Sequence, residues 1–151
     1  MKYKKINPFQ ALVFRTETKL TEINRYVRTK AREIYADVIA NKCEITGPVY
    51  WIYYGADGNP NTVFSLEIAV PVFSTGNYTG IFELKVISEF GCISEIHEGA
   101  WERLNETYGK IIEQALADGV AINPVSREIY IHMDFNSPEN NITEVQLGVQ
   151  R

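Results

Sequence analysis

Apolar and polar residues follow one another along this chain with a period that changes several times, and each change predicts a new element. Phe9 to Arg15 is a short apolar run between Pro8 and a Thr-rich stretch, and it reads as a strand. From about Leu20 to Asn41 the period lengthens. Ile23, Val27, Ile34, Val38 and Ile39 recur at helical spacing, while Glu22, Arg25, Arg28, Arg32 and Asp37 lie largely on other faces. Gly47-Pro48 ends the connection that follows. Val49 to Tyr54 is rich in β-branched and aromatic residues and predicts a strand. Gly55 to Pro60 carries turn chemistry, so Val63 to Val72 is the return strand of a hairpin.

The polar loop Ser74 to Gly80 divides the chain, and the pattern then restarts. Ile81 to Ile87 and Gly91 to His97 alternate and predict strands. A second helix runs between Gly99 and Gly119, with Trp101, Leu104, Tyr108, Ile111, Ile112, Ala115 and Leu116 in one stripe. Arg127 to Phe135 and Ile142 to Val149 are the last two strands, joined by a turn over 136–141.

The order strand, helix, strand, turn, strand therefore occurs twice. Gly47-Pro48-Val49 precedes the first hairpin and Asn123-Pro124-Val125 the second. Tyr53 and Glu67 have the same separation as Tyr130 and Glu144, and Leu66-Glu67-Ile68 corresponds to Thr143-Glu144-Val145. The proline motif and the Tyr/Glu pair differ in register by one residue, which predicts an insertion between them. The expected fold is α+β: a single domain over 1–151, with repeat 1 about 6–73 and repeat 2 about 80–150. Duplicated βαββ units would be related by a pseudo-twofold axis, with antiparallel sheets, two long helices and a central cleft. Clefts at such junctions are common ligand sites.

Strand alternation sorts the side chains. Val145, Leu147 and Val149 share a face that suits packing on a helix, and Glu144, Gln146 and Gly148 share the other. Glu144 is left pointing to solvent or to the cleft. Glu67 stands in the same relation to Leu66, Ile68 and Val70. Trp51 and Tyr53 share a face, as do Glu128, Tyr130 and His132. One arrangement gathers Trp51, Tyr53, Tyr130, Glu67 and Glu144 around a single cavity, whose aromatic walls and carboxylates suit a flat or cationic organic ligand. The other makes the two glutamates exposed strand residues and the aromatics core.

Composition narrows the partners. Formal net charge is −4, which lacks the Lys/Arg footprint of a nucleic-acid binder. The one basic cluster, Lys2, Lys4 and Lys5, reads as a solvated tail. Cys43 and Cys92 are far apart, without CxxC or a histidine at metal-ligand spacing, so no metal or other cofactor is expected. No apolar run approaches a membrane span and no signal-peptide core is visible, which predicts a cytoplasmic protein. No Ser/His/Asp or Cys/His constellation is visible, and His97 and His132 are the only histidines.

Several segments resemble the GyrI-like small-molecule-binding domains, which also form the effector-binding part of AraC-type and MerR-type multidrug regulators. His97-Glu98-Gly99-Ala100-Trp101-Glu102-Arg103-Leu104 with Tyr108 looks like that family's strand-to-helix segment. Glu128-Ile129-Tyr130 and Thr143-Glu144-Val145-Gln146 resemble its closing hairpin. Gly47-Pro48-Val49 through Tyr53, with Leu66 to Val72, resembles the hairpin of its first repeat. The resemblance implies a cleft between repeats and a final-strand carboxylate that meets the ligand. Glu144 holds that position, Tyr130 matches an aromatic near it, Glu67 is its pseudo-symmetric counterpart, and Trp101 joins the candidate set.

The regulators carry a DNA-binding segment before this domain, and only a few basic residues precede the first strand here, so the resemblance implies the sensor module alone. Three functions stand open: a binding module for a lipophilic or cationic compound, a hydrolase of cyclopropane-containing electrophiles with Glu144 as base and Tyr130 or Tyr53 as donor, and a protein-interaction module of the gyrase-inhibitor kind. The expected partners are a small organic ligand and a protein or second copy of the chain, with neither nucleic acid nor membrane.

Overall fold

Nine strands and two helices account for most of the chain in the computed structural model, which describes residues 1–150. In chain order the strands are β1 (Lys2–Ile6), β2 (Phe9–Thr18), β3 (Glu44–Ile45), β4 (Tyr50–Tyr54), β5 (Phe64–Phe73), β6 (Glu83–Ile87), β7 (Phe90–Glu98), β8 (Ala121–His132) and β9 (Ile142–Gln150). The helices are α1 (Thr29–Ala40) and α2 (Leu104–Ala117). No helix among the described residues is long and apolar enough to cross a membrane.

All strand pairings are antiparallel, and the strands run β1-β7-β9-β8-β4-β5-β2-β6, with β3 added beside β5. The order reads alike from both edges. Each half supplies a βαββ unit, β2-α1-β4-β5 or β7-α2-β8-β9. The central pairing of β4 with β8 joins the two units into one continuous sheet, with Trp51 directly opposite Glu128. A single offset along the chain carries Tyr53 to Tyr130, Glu67 to Glu144, Ile34 to Ile111 and Trp51 to Glu128. The β8–β9 ladder is irregular between Ile122 and Ser126, the stretch that holds the second proline motif. Gly148 faces it, and a Cβ there would run into the Asn123 side chain.

The basic N-terminus is not a solvated tail. Lys2–Ile6 is a strand, held on β7. The sequence hides it because an edge strand needs only one partner and tolerates lysines at every other position. Its counterpart β6 pairs with β2. Each lead strand thus lies on the half that it does not belong to.

The helix expected over Leu20 to Asn41 is also divided. A short 3-10 turn covers Ile23–Tyr26, Val27 is extended, and Arg28 has φ of 71° before α1 begins. The turn packs Ile23, Tyr26 and Val27 against the first core cluster. Ile34 and Val38 of α1 bury against Leu12, Leu66, Ile68 and Val70. Ile111 and Ala115 of α2 bury against Ile93, Val145 and Leu147. Both helices therefore cover the same face of the sheet.

Candidate functional site

A cavity of about 1590 Å³ lies on that helix-bearing face, between α1 and α2 and over the central strands. That is larger than the usual range for small-molecule sites, about 300–1,000 Å³. Its floor is Trp51 and Tyr53 of β4 with Ser126, Glu128 and Tyr130 of β8. Tyr35 of α1 and Tyr108 of α2 form opposite walls, and Trp101 and Phe135 close one end. The rings make a row. Phe135 meets Trp101 at 5.6 Å between centroids, Trp101 meets Tyr130 at 5.4 Å, Tyr130 meets Trp51 at 6.0 Å, Trp51 meets Tyr53 at 6.4 Å, and Tyr53 meets Phe64 at 5.6 Å. Most contacts are edge-on or tilted, the favourable geometries for aromatic pairs.

Glu128 is the buried carboxylate of this cavity; Asp57 and Glu102 line it from exposed positions. It is buried, and three tyrosine hydroxyls donate to it: Tyr130 to Oε1 at 2.6 Å, Tyr53 to Oε1 at 3.2 Å and Tyr108 to Oε2 at 2.7 Å. No Lys, Arg or His among the described residues lies within ion-pairing distance of it. Burial raises its proton affinity, and the hydrogen bonds from Tyr130, Tyr108 and Tyr53 only partly oppose that, so its pKa lies above the usual carboxylate value. Burial and the neighbouring Glu128 charge raise the Tyr108 and Tyr130 hydroxyls well above theirs.

Four of the six residues singled out from sequence line the cavity: Trp51, Tyr53, Tyr130 and Trp101. Glu67 and Glu144 do not. Both project from the opposite face of the sheet. Glu144 accepts hydrogen bonds from Lys4 at 3.0 Å, Ser94 at 2.9 Å and Gln146 at 2.7 Å. Glu67 is fully buried, bonded to Tyr54 and Lys85, with Arg15 at 3.6 Å. The two clusters are pseudo-symmetric: Lys4 comes from one lead strand and Lys85 from the other. Alternation correctly put Glu144 opposite Val145 and Leu147, but helices and cavity share one face, so the side away from the helices is the side away from the cavity.

Sequence reasoning missed Glu128 as a site residue, although it shares its face with Tyr130. Its signal is positional, because it is the pseudo-symmetry mate of Trp51 and its cross-strand partner. Tyr108 was visible in an apolar stripe and in the strand-to-helix segment, without a site role, and Phe135 only as a strand end. His97 is buried between Thr107 Oγ1 at 2.7 Å and the Ala100 carbonyl at 2.9 Å, a structural place at the head of α2. No cluster of three or more His, Cys, Asp or Glu suited to a metal ion occurs among the described residues.

Fold and cavity define a small-molecule-binding module, a two-half sheet with an aromatic pocket between its helices. The family model of the GyrI-like small molecule binding domain matches residues 1–150, and the chain belongs to that family. The C-terminal domain of EcmrR is similar in structure, with a TM-score of 0.81 at 18% identity over 99% of this chain and 96% of that one. SAV2435 bound to tetraphenylphosphonium gives 0.66 at 9% identity, over 99% and 93%. A hydrolase encoded by lin2189 from Listeria innocua gives 0.61 at 12% identity, over 99% and 92%. At these identities the likeness is one of fold. No curated protein matches the sequence.

Proposed function

We propose that the cavity captures bulky lipophilic organic cations, with Glu128 as counter-ion and the aromatic row as the contact surface. One observation carries this reading: a buried carboxylate inside an aromatic cavity, supplied with hydroxyl donors but, among the described residues, with no cationic side chain in ion-pairing distance. An ionised group in such a place is costly unless it is paired. A cationic ligand supplies the missing charge, and the ring faces add cation–π attraction. The tetraphenylphosphonium bound by SAV2435, a protein of the same fold, is a ligand of this chemistry. Tetraphenylphosphonium binding measured by calorimetry should weaken at least tenfold in Glu128→Gln, the loss of about 1.4 kcal/mol or more. Glu144→Gln should bind within about twofold of wild type, since Glu144 lies across the sheet. Equal affinity in wild type and Glu128→Gln would overturn the assignment.

A second reading rests on the same group. A carboxylate with raised proton affinity beside tyrosine donors can activate water against an electrophile, and the lin2189 hydrolase shares the fold. Incubation with a cyclopropane-containing electrophile, followed by mass spectrometry, distinguishes the two: a water adduct that disappears in Glu128→Gln marks a hydrolase, and binding without adduct marks a capture module.

A further inference from the structure

Arg28 stands at the end of the aromatic row in an unusual state. Its φ of 71° lies in the left-handed region, which a residue with a Cβ adopts reluctantly. It sits between the extended Val27 and the first turn of α1, so the chain pivots there. The side chain reaches from the first half of the molecule to the second, where its guanidinium carbon lies 3.7 Å over the centroid of the Phe135 ring. Both residues line the cavity. Phe135 itself meets Trp101 edge-on, so the guanidinium continues the row Tyr130, Trp101, Phe135 by one more member. Arg28 makes no ion pair among the described residues. The Phe135 ring is its stacking partner.

A guanidinium is a flat, weakly hydrated cation that stacks on aromatic faces. That is the chemistry the cavity offers to a ligand. We propose that Arg28 is a built-in competitor: it occupies the outer ring of the binding row and must leave Phe135 before an aromatic cation can use that face. Arg28 therefore sets the affinity threshold of the cavity and selects for ligands whose contacts exceed those of its own guanidinium. Arg32, one helical turn on and also at the cavity, adds a second positive charge that opposes cation entry. This inference rests on the cavity being the cation site.

Two measurements test it. In the unliganded protein, the Arg28 Hε resonance should be shifted upfield by the Phe135 ring and return to its ordinary position in Phe135→Ala. An unshifted Arg28 resonance overturns the competitor role. Tetraphenylphosphonium should bind Arg28→Gln about threefold to fivefold more tightly than wild type, the worth of an exposed cation–π contact. In the Phe135→Ala background the same substitution should change affinity by less than about twofold. Weaker binding by Arg28→Gln would mean that Arg28 holds the ligand and would overturn the competitor role, as would an unchanged affinity. Those results leave Glu128 as counter-ion intact. No binding to wild type or to either variant overturns both proposals, and undiminished binding by Glu128→Gln overturns the cavity reading by itself.

Discussion

Glu128 and Glu144 carry the same carboxyl group on neighbouring strands, and their surroundings give them opposite pH signatures. Burial holds Glu128 above its unfolded value of about 4.3. Its contribution to stability is present below that pH and is lost as pH rises through the folded pKa. Glu144 behaves in reverse. Burial would raise it, but hydrogen bonds from Gln146, Lys4 and Ser94 prevail and hold it below the ordinary value. Its contribution is present above the unfolded pKa and is lost as pH falls through the folded one. Urea denaturation of the unliganded protein between about pH 4 and pH 8 should separate them. Glu128→Gln should be more stable than wild type at pH 7 by about 1 kcal/mol, with Tm higher by about 3 °C, and the gain should shrink toward acid. Glu144→Gln should be less stable at pH 7 by about 1 kcal/mol, and that loss should also fade as pH drops. A variant that binds less and stands firmer is what a site holding an unpaired charge predicts.

At the scale of elements, the lead strands explain both what the chain shows and what it conceals. The hairpins, the helical stripes and the duplication are legible because each is written in a local period. The exchange of β1 and β6 between halves is not, since register across the sheet depends on partners seventy or more residues away. For the same reason the Tyr/Glu repeat was legible as a repeat but not in its role. Glu67 and Glu144 recur because each anchors a lead strand through Lys85 or Lys4. Trp51 and Glu128 are also mates, but they differ chemically, so no repeat signal marks the buried carboxylate that faces the cavity. The two anchors are unequal. Lys85→Met would leave fully buried Glu67 with the more distant Arg15 as its ion-pair partner, and should cost about 3 kcal/mol. Lys4→Met, at partly exposed Glu144, should cost about 1 kcal/mol or less. Equal losses in chemical denaturation would show that burial does not set the strength of these pairs.

At the scale of the whole molecule, the cavity belongs to neither half. The first supplies Trp51, Tyr53 and Arg28, the second Glu128, Tyr130, Tyr108 and Phe135, and the pairing of β4 with β8 brings them together. One buried carboxylate serves the pair of halves, which suits a ligand with one positive charge near its centre. The crossing lead strands have a further consequence. If the backbone is cut in the loop 74–82, each fragment keeps a strand that belongs on the other: β1 stays with the first fragment but pairs on the second, and β6 stays with the second but pairs on the first. Separately expressed fragments should be poorly folded alone. Mixed, they should reassemble as a one-to-one heterodimer with the circular dichroism and tetraphenylphosphonium affinity of the intact chain, detectable by size-exclusion chromatography. The pairing is the one two identical subunits would make by trading arms across a twofold axis, and the Trp51-for-Glu128 difference is what a tethered pair permits: the freedom to be unlike on either side of that axis.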